Sequence, residues 1–189
     1  MCRSLLWHEQ SCQDDTMEPM VATDGSEKSL RIRPVRREEG DRLEAIRRAS
    51  FAPIFASFRR ILGHEIYELA QAREDEGQGE LLRSMLAENS GWDVYVATVS
   101  DEVVGFVSIR NNDETKVGEI GLNAVDPQYA GSGIGTTMYR FAVSQMRKAG
   151  MKVATVATGG DSSHEPARRA YRKAGFSVEI PSVWMCQKL

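Results

Sequence analysis

Three glycines at alternate positions, Gly131, Gly133 and Gly135, stand between an alternating apolar run ending at Val125 and a helical stripe beginning at Ile134. Glycine permits positive φ and leaves no Cβ in the path of a ligand. A strand-to-helix turn built this way points several free backbone N–H groups into one concavity at the positive end of a helix. Such a concavity is an anion site, suited to a pyrophosphate. A tight turn with no ligand is the plainer alternative, but three alternate glycines are more than a turn needs.

The periodicity on either side places this turn in a mixed fold. Leu30–Val35 alternates as a short strand, and Asp41–Ala49 has helical spacing with Leu43 and Ile46 on one face. An aromatic stretch, Ser50–Phe58, is broken by Pro53. A second helical region covers about 65–89, with Ile66, Leu69, Leu82, Met85 and Leu86 as its stripe and Gly77 and Gly79 as interruptions. Strands are predicted at 92–99 and 103–110, joined as a hairpin by Ser100-Asp101-Glu102, and at 116–125. The helix after the glycine turn spans about 133–149 and ends at Gly150. A strand at 151–157, a helix at 164–174 and a final hairpin at 176–180 and 183–188 complete the chain. This order predicts an α/β (α+β) fold with a mixed, mostly antiparallel sheet of about seven strands flanked by about four helices. Residues 1–29 are polar and aperiodic, so a disordered leader is expected there, with one domain over 30–189.

Composition removes several function classes. The 24 Lys and Arg against 27 Asp and Glu give a net charge of -3, so there is no basic excess for nucleic acid or an anionic membrane. Cys2, Cys12 and Cys186 form neither a disulfide framework nor, with the three histidines, a metal-ligand pattern. No metal is therefore expected. No apolar run is long enough to span a bilayer, and a reducing cytoplasm is the simplest location.

Two nucleotide motifs fail on inspection. A P-loop needs Gly-Lys-Ser/Thr, whereas Gly135 is followed by Thr136. The dinucleotide fingerprint needs G-x-G-x-x-G and an acid about 20 residues on, and the strand at 152–158 ends without one.

Gln128-x-x-Gly131-x-Gly133 resembles the Q/R-x-x-G-x-G/A signature of the GNAT N-acetyltransferase superfamily. Leu122–Pro127 resembles the family's fourth strand, and Ala167-x-x-x-Tyr171 through Gly175-Phe176 resembles its second block. The similarity covers roughly 30–188. It implies a sheet splayed between strands 4 and 5, with acetyl-CoA as acyl donor and a primary amine as acceptor, joined in a ternary complex. Pantetheine would bond along Asn123, Ala124 and Val125. The diphosphate would lie over Gln128, Gly131, Ser132, Gly133, Ile134, Gly135 and Thr136. A noncatalytic acyl-CoA-binding module on the same fold is the alternative, and a homodimer is compatible with the sequence.

An alkylammonium has a pKa of about 10, so the acceptor must lose a proton before it attacks. The resemblance makes Glu119 the candidate base and Tyr171 the acid beside the coenzyme sulfur. Strand alternation puts Glu119, Gly121, Asn123 and Val125 on one face if no bulge intervenes. His164 stands where the family often has an asparagine that helps hold pantetheine. Cofactor binding, acceptor contact, a role as base and a plain helix-start histidine all stay open for it. The acceptor pocket is expected from Phe51, Ile54, Phe55 and Phe58, with 181–184 opposite, and Asp161 is a candidate to orient a cation.

Overall fold

The structure, a computed structural model, describes residues 29–189. Apart from Ser29, the expected leader lies outside the described residues. The elements are β1 (Leu30–Pro34), α1 (Gly40–Ala70), α2 (Ala72–Leu86), β2 (Asp93–Val99), β3 (Glu102–Asn112), β4 (Val117–Val125), α3 (Ile134–Lys148), β5 (Val153–Val156) and α4 (Glu165–Lys173). They build one sheet in the order β1-β2-β3-β4-β5, antiparallel as far as β4 and parallel between β4 and β5.

Both faces of the sheet are covered. Leu43 and Ile46 of α1 and Leu82 and Met85 of α2 pack with Val94, Val96 and Phe106 on one side. Met138, Ala142 and Met146 of α3 and Tyr171 of α4 pack with Val107, Ile109 and Ile120 on the other. Hence β3 is buried without interruption from Val103 to Ile109, the pattern of a strand clad on two faces.

Among the described residues five strands form where about seven are predicted. The alternation in 176–188 is real, but the segment takes no strand partner among them, and Val178, Ile180, Val183 and Met185 stay exposed. Alternation shows that a segment can pair; a strand exists only when another backbone takes its hydrogen bonds. The tail touches the body through surface ion pairs, Arg172–Glu179 and Glu65–Lys188.

The first helix is longer than predicted. α1 runs 31 residues through the aromatic stretch, with Pro53 inside it. The break comes at Gly63, where φ is 72° and ψ is 163°. Gly77 and Gly79 lie within α2 and do not interrupt it. The kink at Gly63 and the restart after Gln71 shift the helical phase, so Leu69, predicted on the apolar stripe, is 83% exposed.

Two features of β4 shape the site. Its pairing with β5 runs from Val117–Val153 to Ile120–Val156 and stops there. Beyond Ile120 the β5-facing edge of β4 is open, which is the expected splay. Its pairing with β3 jumps from Ile109–Ile120 to Val107–Asn123, so Ser108 faces two residues, a β-bulge. The Ser108 hydroxyl donates to the Leu122 carbonyl at 2.9 Å. Ser108→Ala removes the donor to a half-buried carbonyl, and should lower the urea-unfolding free energy by about 1 kcal/mol.

Candidate active site

The bulge decides which side chains share a face. Ile120 packs with the α3 and α4 cluster, and Asn123 turns to the same side, three residues on instead of two or four. Glu119 therefore does not share the face of Asn123, contrary to simple alternation. It forms an ion pair with Arg110 across the β3–β4 ladder, at 2.6 Å, and both side chains are about half exposed. The Arg110 guanidinium lies 4.6 Å from the centre of the Trp92 ring. That ring in turn occupies the space a Cβ on Gly121 would need.

A cavity of about 240 Å³ opens beside the unpaired part of β4. Gly121, Leu122 and Asn123 form its floor. Phe51, Ile54, Phe55 and Phe58 of α1 form an apolar wall, and His164, Ala167 and Tyr171 close the α4 side. Gln71, Asp75 and Gln78, where α2 begins, line a further part, and Ala157 and Thr158 after β5 complete the lining. The four aromatic and aliphatic residues of α1 were predicted to line the pocket. The 181–184 segment and Glu119 were not brought to it.

Tyr171 is 6% exposed and sits in a polar knot that the sequence only half discloses. Asn123 Nδ2 donates to the Tyr171 oxygen at 3.0 Å, and the Tyr139 hydroxyl donates to Asn123 Oδ1 at 2.7 Å. The two tyrosine rings lie 4.3 Å apart between centroids. Burial raises the Tyr171 pKa, and the hydrogen bonds from Asn123 and Tyr139 offset only part of that rise. The phenol is held protonated: its oxygen accepts from Asn123 Nδ2, and its own O–H donates to Asn123 Oδ1 over a long 3.3 Å contact, weak enough to be exchanged for a group in the cavity. Tyr139 was missed because its helical position reads as ordinary core.

His164 immediately precedes α4 and is held from behind. Its Nδ1 lies 2.5 Å from Asp161 Oδ1, and its ring stacks at a tilt against Phe58, 5.7 Å away. Asp161 also accepts from the Ser163 amide and hydroxyl. Burial pushes the Asp161 carboxyl up, but the bonds from Ser163 and His164 outweigh it and bring its pKa down to about 2. With Nδ1–H given to Asp161, Nε2 is the ring's acceptor. A Cβ on Gly159 would sit 2.4 Å from His164 Nδ1, so this close approach requires glycine at 159. Arg168 locks the loop by donating to the Gly159 and Asp161 carbonyls.

The glycine turn lies beyond the open edge of β4. Asp126 caps a single 3-10 turn, Pro127–Tyr129, by accepting from the Gln128 amide. Gly131 and Gly133 adopt φ of 79° and 86°, a conformation that side chains strain, and a Cβ on either would meet nothing. These glycines are thus present for backbone direction. Gly133 caps α3, whose first amides, from Ile134 to Thr136, precede the first intrahelical bond at Thr137. Ser132 donates its hydroxyl to the Tyr129 carbonyl, and the Ile134 side chain is buried in the core, so Ile134 offers a ligand only its backbone. On β4, Ala124 is buried toward α1 and α2, and the Val125 carbonyl accepts from Ser50 at 2.7 Å. Among the described residues there is no cluster of three or more metal-ligating side chains, and no helix is long and apolar enough to cross a membrane.

A family model described as the acetyltransferase (GNAT) family matches residues 58–176. The chain belongs to this GNAT family. An uncharacterized N-acetyltransferase of Methanocaldococcus jannaschii is 30% identical over 97 residues, which cover 48% of this chain and 42% of that relative. The chain thus matches less than half of that relative's length. Among solved structures of the GNAT fold, the PaiA N-acetyltransferase of Thermoplasma acidophilum, in complex with coenzyme A, is similar with a TM-score of 0.63. It is 22% identical, with 82% of this chain and 93% of that one covered. A GNAT family acetyltransferase of Brucella melitensis, in complex with acetyl-CoA, has a TM-score of 0.52 and 20% identity, covering 80% and 91%.

The depressed Asp161 pKa gives a pH-dependent stability. Its contribution is complete above the ordinary value of 3.8 and is lost as pH falls through about 2. Asp161→Asn should cost about 2 kcal/mol near neutrality. The gap between wild type and variant should narrow as urea midpoints are followed down through that acid window.

Proposed function

We propose that this chain transfers an acetyl group from acetyl-CoA to a primary amine by direct attack within a ternary complex. The observation that carries the reading is one cavity where a protonated phenol and a carboxylate-backed imidazole meet the open edge of β4. The glycine turn supports the choice of donor, since it offers amides of a helix start where a diphosphate would lie. The similar Thermoplasma and Brucella proteins, solved with coenzyme A and acetyl-CoA, support it as well. Val125 and its neighbours on the open edge supply backbone groups for pantetheine.

The chemistry follows from the side chains. The acceptor enters as an ammonium, and His164 Nε2 takes its proton while Asp161 steadies the ring. The free amine attacks the thioester carbonyl carbon, a C–N bond forms, the C–S bond breaks, and the nitrogen sheds its remaining extra proton to water to leave the neutral amide. The departing sulfur takes the Tyr171 proton. Tyr171 and His164 need not exchange protons directly, because water restores both after products leave. In this reading His164 replaces Glu119 as base, since the Glu119 carboxylate is engaged by Arg110 and does not line the cavity.

His164→Gln and Tyr171→Phe should each lower kcat about a hundredfold in a thiol-release assay, with little change in acetyl-CoA affinity. Glu119→Gln should stay within about threefold of wild type, and a loss as large as that of His164→Gln would return the base to Glu119. Gly133→Ala should act the other way, weakening acetyl-CoA binding by about tenfold through a turn strained at positive φ. Acetyl-CoA binding without thiol release from any amine would instead identify a noncatalytic acyl-CoA-binding module.

A further inference from the structure

The cavity has polar groups at two ends and an apolar wall between them. One end carries His164, Asn123 and Tyr171. The other carries Asp75, flanked by Gln71 and Gln78, where α2 starts. Phe51, Ile54, Phe55 and Phe58 lie along α1 between them: Phe58 stacks on His164 at one end, and beyond Phe51 the Glu44 side chain lies against Gly79, one turn after Asp75.

Asp75 is 5% exposed, yet its partners among the described residues are both neutral. The Tyr67 hydroxyl donates to Oδ2 at 2.7 Å and Gln71 Nε2 donates to Oδ1 at 2.8 Å. Burial and the bond to Asp75 raise the Tyr67 pKa, so this phenol stays a donor. A carboxylate accepts about four hydrogen bonds, and two are filled. A buried carboxyl is costly without a countercharge, and among the described residues this one forms no ion pair and borders the cavity, while the Arg59 guanidinium is spent on the face of the Tyr67 ring, 4.4 Å from its centre. A cationic group delivered by a ligand is the partner such a site lacks.

We infer that the acceptor is a diamine-class molecule, one end acetylated beside His164 and Tyr171 and the other, still protonated, held by Asp75. This rests on the reading of the cavity as the acceptor site. The methylene chain of such a molecule covers the aromatic wall, and the ammonium at the far end donates to the free lone pairs of Asp75. Asp75 is then a specificity residue that takes no part in the chemistry at the thioester.

The test compares α,ω-diamines, from putrescine to hexamethylenediamine, with monoamines of equal length. Binding to the coenzyme A complex is measured by calorimetry, and turnover by thiol release with acetyl-CoA. Diamines should bind at least about tenfold more tightly than their monoamine counterparts. Asp75→Asn should erase that preference. Because this variant also loosens the Tyr67 and Gln71 contacts, Gln78→Lys provides a second one. It leaves those bonds in place, sets a positive charge in the cavity and should likewise collapse the diamine-to-monoamine ratio. Equal binding of both series, binding of neither, or a preference that survives both variants overturns the inference. Asp75-dependent diamine binding with no thiol release upholds it and sinks the transferase reading instead, so the two fail separately.

Discussion

The structure depends on β4 being hydrogen-bonded along both edges only as far as Ile120. Up to that residue it is an interior strand between antiparallel β3 and parallel β5. Past it, β3 is the one strand still paired with β4, side chains of Ser50 and Asn123 take the Val125 and Gly121 carbonyls, and the β5 side faces a gap. An unpaired interior edge is costly unless something bonds to it, and in this fold the gap is where a ligand's polar chain can do so. The short length of β5, four residues, creates the gap, and the departure of the chain at Ala157 keeps it open. The glycine turn follows β4 and the start of α4 follows β5, so both stand past the C-terminal ends of these parallel strands, where the gap opens.

The bulge opposite Ser108 gives this edge its chemistry. One extra residue in β4 turns Asn123 toward α3 and α4, where it links Tyr139 and Tyr171. The same residue leaves Glu119 on the opposite face, paired with the Arg110 that lies over Trp92. A local insertion therefore separates two side chains that simple alternation would place together. The proton-handling groups come instead from α4: Tyr171 held protonated by burial, and His164 oriented by an Asp161 whose own charge is secured by Ser163. Each is fixed by neighbours that carry no chemistry themselves, among them Gly159 and Arg168.

Much of the fold was legible. The first nine elements follow the predicted order, because each has a clear apolar period and a turn residue at its boundary. The glycine turn was legible for a different reason, since Gly131 and Gly133 occupy backbone angles that other residues resist. Tyr171, His164 and the aromatic wall of α1 were named from the sequence and do border one cavity. Tyr139 and Asp75 were not found, because a tyrosine and an aspartate inside predicted helices carry no period or motif that sets them apart. Leu69 was misplaced by a kink whose only local sign is Gly63, and the 176–188 hairpin by alternation that found no partner.

The sequence by itself determined where strands and helices alternate, which turn can receive an anion, and which residue types are available for proton transfer. These follow from side-chain period and backbone freedom, which act over a few residues. Only the tertiary structure decided that β4 loses β5 after Ile120, that a bulge turns Asn123 to Tyr171, and that Asp75 meets the same cavity as His164. Those outcomes depend on hydrogen-bond register and burial between segments far apart in the chain, and register is settled by all the packed neighbours at once.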